Sequence, residues 1–353
     1  MKIVSTRIWP ITMALSEPYT IAYEDVSTVT NIILCVNTDA GITGVGCAAP
    51  GPLVTGETAE TVLDHCRRVV EPLLHGADPL RRASVRSQLK DALPGAPATL
   101  AMVDMALMDL LGKRAGLPVY EILGGYRNRF ITSVTIGIMP ELDTVRRARD
   151  LVSQGFRALK IKGGRDIDED IHRVSKVREA VGLGIEIRFD ANEGYDEAAA
   201  LRFAAAADKL GVSVIEQPTS RLASEPLARI AQLSQVPIMA DESFLDMRDA
   251  IALARDNAAD MINIKLMKVG GITPAVHLMG LAAALGMGVM VGCMDEAAVS
   301  ISAGLHVALS HPIVRFADLD GHLDLIGDPS AAALTLSDGY LYPSRLPGFG
   351  WTP

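Results

Sequence analysis

Residues 158–162 read ALKIK and residues 261–265 read MINIK. Each is a run of apolar, β-favouring sequence that closes on a lysine. Alternation along a strand puts positions i and i+2 on one face, so Lys160 and Lys162 point the same way, where like charges repel unless something compensates them. Short apolar runs of this kind recur down the chain: SVTIGI from Ser133, IEIRFDA from Ile185, VSVIEQP from Val212, PIMAD from Pro237, VMVG from Val289 and VRFADLD from Val314. Between most of them lie amphipathic stretches such as ELDTVRRARDLVSQG (141–155) and DIDEDIHRVSKVREAVG (166–182). Eight strands, seven of them in clear strand–helix alternation, predict a parallel α/β barrel rather than an open doubly wound sheet. No glycine fingerprint for a dinucleotide follows the first strands, which weakens the open-sheet alternative further.

The rest of the chain fits an ordinary globular protein of 353 residues, with 49% hydrophobic and 21% charged residues. A net charge of −9 and only 5% aromatic residues argue against nucleic acid or an anionic membrane as the partner. Cys35, Cys47, Cys66 and Cys293 show no CxxC spacing and read as reduced thiols of a cytoplasmic protein. The start, MKIVSTRIWP, lacks the apolar core of a signal peptide. Residues 269–294 carry no Lys, Arg, Asp or Glu, yet Pro274, Gly286, Gly288 and Gly292 divide them into a buried helix and a short strand rather than a membrane span. Upstream, NIILCVNTD and AGITGVGCAAP predict a hairpin turning at Asp39–Gly41, and helices are expected at 58–74, 80–93 and 98–115. This is an α+β unit ending near EILGGYRNR.

Active-site residues of such a barrel lie at the C-terminal ends of its strands. That rule selects Lys160 and Lys162 on the second strand, Asp190 and Asn192 on the third, Glu216 on the fourth, and Asp241 with Glu242 on the fifth. It adds Lys265 on the sixth, Asp295 and Glu296 after the seventh, and Asp318 and Asp320 on the eighth. Steps of 26, 25 and 24 residues separate Asp190, Glu216, Asp241 and Lys265, about one βα unit each, so they occupy adjacent stations on one rim. A lone Asp at a strand end is usually a helix N-cap. Three acids at consecutive strand ends repel one another unless a cation sits among them, and oxygen ligands without His or Cys favour Mg²⁺. His306 and His311 have no second His or Cys placed to share a metal and read as structural.

Lys162 and Lys265 flank those stations. A substrate carboxylate held between them presents opposite faces of its α-carbon to the two amines. One neutral lysine removes the α-proton to give an enediolate and the other, protonated, returns one to the opposite face, with inversion as the result. A lysine must then be partly neutral near pH 7, which a nearby cation and burial promote. Lys160 is assigned that supporting role beside Lys162, and Lys268 beside Lys265.

With these residues identified, the chain resembles the enolase superfamily, in its muconate-lactonizing-enzyme-like subgroup. The resemblance rests on KIK (160–162), DAN from Asp190, EQP from Glu216, ADES around Asp241 and NIKLMKVGG around Lys265, and extends to MALMDLLGKRAGLPVYEILGG and LPGFGW. Within the subgroup it is most similar to dipeptide epimerases, through ADLDGHLDL with Asp318 and Asp320, TSVTIGI with Thr135, VTGET, and GCMDEAAVSISAGLHVALS. Asn192 is followed by Glu193 where the family commonly has Gln.

The resemblance implies a (β/α)7β modified TIM barrel at 129–320, an N-terminal α+β capping domain at 1–128, and a C-terminal segment, 321–353, that returns to complete the cap. It also implies one Mg²⁺ per subunit on Asp190, Glu216 and Asp241, supported by Asn192. The substrate would be a dipeptide whose ammonium group meets Asp318 and Asp320, and the assembly a homo-oligomer. Capping-domain loops near 17–26 and 50–57 would close over the barrel mouth. The first carries Glu17, Glu24 and Asp25 and no arginine, and Asp295 and Glu296 add acid opposite. A cationic or neutral dipeptide is therefore expected rather than L-Ala-D/L-Glu, with Glu24, Asp295, Glu296 and Thr135 as substrate contacts. Two other readings stay open: a lyase or cycloisomerase of the same subgroup (o-succinylbenzoate synthase, dehydratase or muconate cycloisomerase type), and a non-catalytic barrel that binds without turnover.

Overall fold

The computed structural model describes residues 1–20 and 25–353. The chain opens with three antiparallel strands in sequence order, β1 (Ile3–Thr20), β2 (Asp25–Thr38) and β3 (Thr43–Ala48). The helix Pro97–Ala115 lies directly on β3. A Cβ added to Gly46 would fall 1.9 Å from the Met102 carbonyl oxygen, so only glycine allows that approach. The helix expected at 58–74 loosens into a π turn, Cys66–Val70, just before Pro72, whose missing N–H interrupts the α-helical ladder.

A two-residue strand, β4 (Phe130–Ile131), leads into the barrel. Its strands are β5 (Ser133–Ile136), β6 (Ala158–Lys162), β7 (Glu186–Asp190), β8 (Val212–Glu216), β9 (Ile238–Ala240), β10 (Met261–Lys265), β11 (Gly288–Gly292) and β12 (Val314–Ala317). They form one parallel sheet in unbroken sequence order, with a helix after each of the first seven. The predicted (β/α)7β architecture is borne out. The charge-free stretch resolves into the helix Ile272–Leu285 followed by β11. No helix among the described residues is long and apolar enough to cross a membrane.

The seam between β12 and β5 has one parallel bridge, Thr132 to Ala317. Side chains stitch the rest. The Leu319 N–H donates to Thr132 Oγ1 (2.9 Å), Ser133 Oγ to Asp318 Oδ1 (2.6 Å), the Thr135 N–H to Asp320 Oδ2 (2.7 Å) and Arg188 Nη1 to the Ala317 carbonyl (2.7 Å). The acids of ADLD thus help to close the barrel. Beyond them, β13 (Leu334–Ser337) and β14 (Tyr340–Pro343) pair with each other, and β14 pairs with β4. The last residues lie against the first unit, where the Phe349 N–H donates to Asp109 Oδ1 (2.8 Å) and Lys113 Nζ to the Trp351 carbonyl (3.2 Å).

The helix Ala298–Ser310 is buried on all sides and carries His306. Its Nδ1 accepts the Tyr120 N–H at 2.8 Å, and its ring packs on Tyr120 and Phe349. Burial pushes its pKa down to about 3. The unfolded chain protonates this residue as pH falls through about 6.5, while the folded chain does not until far lower, so stability falls with pH across that window. Thermal denaturation from pH 7 to 5 is expected to show a destabilisation approaching about 1.4 kcal/mol per pH unit from this group. The acid-dependent loss should be shallower in His306→Asn; equal slopes in the two proteins would contradict the assignment.

Candidate active site

Strand register builds the site. Lys162 pairs with Asp190, and Asp190 with Glu216, so the last residues of β6, β7 and β8 lie at one level. Asp241 follows β9 directly and Lys265 ends β10. Lys160, one inward-facing position deeper on β6, donates through Nζ to Glu216 Oε2 (2.7 Å), Asp318 Oδ2 (2.8 Å) and Asp190 Oδ2 (3.0 Å). Lys162 Nζ meets Asp190 Oδ2 at 2.8 Å and Asn192 Oδ1 at 2.9 Å. Asn192 has a left-handed backbone (φ 42°), returns its N–H to Asp190 Oδ1 (2.9 Å) and donates through Nδ2 to Glu242 Oε1 (3.0 Å). On the far side Lys265 Nζ meets Asp241 Oδ2 at 2.8 Å, and Lys268 Nζ donates to the Asp241 carbonyl (2.6 Å) and carboxylate. Asn263 Nδ2 donates to Glu216 Oε1 at 2.6 Å.

The charges are strongly interdependent. Burial would raise Asp190, but Lys162 and Lys160 outweigh it and hold the carboxyl at about 2. Asp241 is likewise held below the usual range, by Lys265 and Lys268 against burial. Burial and the neighbouring Asp190 push Glu216 up to about 8 despite its lysine partner. Burial opposes the charge on Lys160, yet Asp318, Glu216 and Asp190 keep it firmly protonated. Lys160 is thus the counter-ion that Asp190, Glu216 and Asp318 share. Lys265 is raised in the same way by Asp241 and Glu216 against burial, whereas burial lowers Lys268.

Ammonium groups stand among the carboxylates, and no group of three or more His, Cys, Asp or Glu among the described residues is arranged as it stands to hold a metal ion. The donor set itself fits a hard divalent ion: Asp190, Glu216 and Asp241 are buried, offer only oxygen, and leave Glu216 with a raised pKa even under a lysine and an amide.

One cavity opens above them. Of the predicted residues, Thr135, Lys160, Lys162, Asn192, Lys265, Asp295, Asp318 and Asp320 line it. Glu296 does not. It is buried, accepts the Met294 N–H (2.8 Å) and the Ser300 hydroxyl, and is pushed up to about 7 by burial, so it braces the start of its helix. Asp318 is already engaged by Ser133 and Lys160. Asp320 has one oxygen on the Thr135 N–H and is pushed up to about 7 by burial and by Asp318. Glu24 lies outside the described residues. The cavity also contains residues that were not predicted: Arg147, which pairs with Glu17 Oε2 at 2.8 Å, and Asp324, which accepts Ser16 Oγ at 3.1 Å. Arg147 belongs to the RRARD run, which reads as a solvated helix face and carries no signal of a cavity.

Residues 3–124 match the mandelate racemase / muconate lactonizing enzyme N-terminal domain, and residues 143–353 match the enolase C-terminal domain-like family. The chain belongs to this enolase-superfamily family. It is 39% identical over 351 residues to the L-Lys-D/L-Arg epimerase of Desulforapulum autotrophicum, covering 99% of both chains. The dipeptide epimerase of Methylococcus capsulatus, solved with Mg and the dipeptide L-Arg-D-Lys, superposes with a TM-score of 0.96 at 38% identity, over 99% of both chains. The L-Ala-D/L-Glu epimerase of Bacillus subtilis, solved with substrate, gives a TM-score of 0.96 at 32% identity, over 99% of this chain and 98% of that one. The expected fold, superfamily and isomerase class are borne out by these relatives.

Proposed function

We propose that the chain is a Mg²⁺-dependent dipeptide epimerase that inverts the α-carbon of the C-terminal residue by two-base proton transfer. The observation that carries this reading is the pair Lys162 and Lys265, which line one cavity from β6 and β10 with the three carboxylates on the strands between them. Asp190, Glu216 and Asp241 would hold the ion, which supplies positive charge to the substrate carboxylate as its α-proton leaves. The neutral amine of one lysine takes that proton, an enediolate forms, and the ammonium of the other returns a proton to the opposite face. Asn192 and Asp190 aim the Lys162 amine, and Asp241 aims that of Lys265. Asp320 is the natural partner for the dipeptide ammonium, with Asp318 beside it. That acid pair favours a dipeptide over the lyase and cycloisomerase substrates, which have no amine to bind.

The side-chain preference follows from the rim. Among the described residues that line the cavity, Glu17, Asp295 and Asp324 are accompanied by one arginine, Arg147, which is paired with Glu17. The Methylococcus capsulatus relative was solved with a doubly cationic dipeptide, which agrees with this charge balance. Dipeptides with Lys or Arg are expected to exceed those with Glu by about 10-fold or more in kcat/KM, since a charge-assisted contact contributes on the order of 1.5–3 kcal/mol. Proton NMR in D₂O with Mg²⁺ on a panel carrying Lys, Arg, Leu or Glu at the C-terminal position measures this. A preference for Glu would sink the specificity, and absence of α-proton exchange from every member would sink the activity.

A further inference from the structure

We propose that Arg173 and Asp170, a buried ion pair outside the cavity, position Lys162; this role rests on Lys162 being one of the two bases. Both residues lie on the helix Ile167–Val181, one helical turn apart, and are 5% and 3% exposed. Arg173 Nη2 donates to the main-chain carbonyl of Lys162 at 2.7 Å and to Asp170 Oδ1. Asp170 Oδ2 accepts the Gly164 N–H (2.8 Å) and the Tyr195 hydroxyl (2.5 Å). On the other side the Gly163 N–H donates to the Asp190 carbonyl at 2.9 Å. A Cβ on Gly163 would sit 2.3 Å from the Phe189 ring, and one on Gly164 (φ +100°) 2.1 Å from the Ala191 carbonyl oxygen. The turn that leaves Lys162 is therefore gripped between β7 and the helix.

Burying two charges costs several kcal/mol per ion before pairing returns anything, and well-packed apolar side chains would dock the helix as firmly. The polar pair adds direction: a planar guanidinium whose Nη2 fixes the Lys162 carbonyl and the Asp170 carboxylate together, while Nη1 reaches the Met139 carbonyl (3.4 Å). The carbonyl it fixes belongs to Lys162. Hydrogen bonds to Asp190 and Asn192 aim the amine, while Arg173 sets where that side chain starts. Lys265 is anchored differently, because it runs straight into the helical turn Leu266–Val269. Loosening the Arg173 guanidinium should therefore affect one base and spare the other.

Arg173→Lys keeps the charge opposite Asp170, but its rotatable ammonium lacks the planar group that holds Nη2 on the Lys162 carbonyl while Nη1 reaches the Met139 carbonyl. Tyr195→Phe removes one hydrogen bond from Asp170 and serves as the milder variant. Two readouts apply: deuterium wash-in from D₂O started separately from each epimer of a Lys/Arg dipeptide, and the rate of reductive methylation of Lys162 relative to Lys265, read by mass spectrometry. In Arg173→Lys, wash-in from the epimer that Lys162 serves (identified with Lys162→Ala in the same assay) should fall by about 10-fold or more, and the other should stay within about two-fold. Methylation of Lys162 relative to Lys265 should rise at least about two-fold, and Tyr195→Phe should shift both readouts the same way by less. Equal losses from both epimers, or no loss with an unchanged methylation ratio, would overturn the proposal. If the wild-type protein exchanges no α-proton, the epimerase reading fails, and the methylation ratio alone decides the positioning of Lys162.

Discussion

Lys162→Ala and Lys265→Ala should each lower interconversion of the two epimers by at least about 10³-fold, yet differ in what they leave behind. In the proposed mechanism each lysine would reach the α-carbon from its own side of the cavity, since β6 and β10 are separated by the three strands that lead to the acids. Removing one amine leaves the other able to take a proton from its own face and return one, often deuterium, to that same face. Exchange without inversion should then persist from one epimer in Lys162→Ala and from the opposite epimer in Lys265→Ala. Proton NMR in D₂O, started from each pure epimer, reads both quantities in one experiment. Folding is not expected to confound it. In Lys162→Ala, Asp190 keeps Lys160 at 3.0 Å; in Lys265→Ala, Asp241 keeps Lys268. A single variant that loses exchange from both epimers while remaining folded would replace the two-base mechanism with a one-base mechanism.

Much of this site is legible along the chain because barrel chemistry is written at strand ends. ALKIK, MINIK and PIMAD each run from apolar residues into a charged one, and the regular 24- to 26-residue steps say that these ends share a rim. What the sequence does not display is which charges satisfy which. Lys160 is two residues from Lys162, but its partners are Asp190, Glu216 and Asp318, the last 158 positions away. Adjacency along the strand points from Lys160 to Lys162, whereas the hydrogen bonds of Lys160 go to three acids from elsewhere in the barrel. Glu296 beside Asp295 reads as a second rim acid, yet hydrogen bonds from the Met294 N–H and the Ser300 hydroxyl hold it inward. Arg147 and Glu17 meet across 130 residues, from a helix and from the edge of the first sheet, and neither segment carries a periodicity that announces the pairing. Alternation and spacing reveal backbone direction; side-chain pairing between distant elements requires the packed structure.

Asp241→Asn separates the two tasks of the central acids. Its carboxylate is buried, one oxygen on Lys265 and the other on Lys268. Neutralising it leaves two buried ammonium groups short of a partner, so the variant should unfold more easily by about 3–5 kcal/mol, the usual cost of breaking a buried pair. That loss concerns the lysines alone and should appear in EDTA. The second effect concerns a ligand of the folded state. A species that binds only the folded chain stabilises it by RT ln(1 + [L]/Kd), about 2.7 kcal/mol at a hundredfold excess over Kd. Titrating Mg²⁺ into the wild-type protein should therefore raise the denaturation midpoint progressively, while Asp241→Asn should show a flat titration and epimerisation lowered by at least about 10²-fold. Differential scanning calorimetry with and without EDTA measures both terms on the same two proteins. A variant that is destabilised in EDTA yet retains the full Mg²⁺ response would remove Asp241 from the metal site. Its carboxylate would then serve only to hold Lys265 and Lys268, and the ion would have to rest on Asp190 and Glu216.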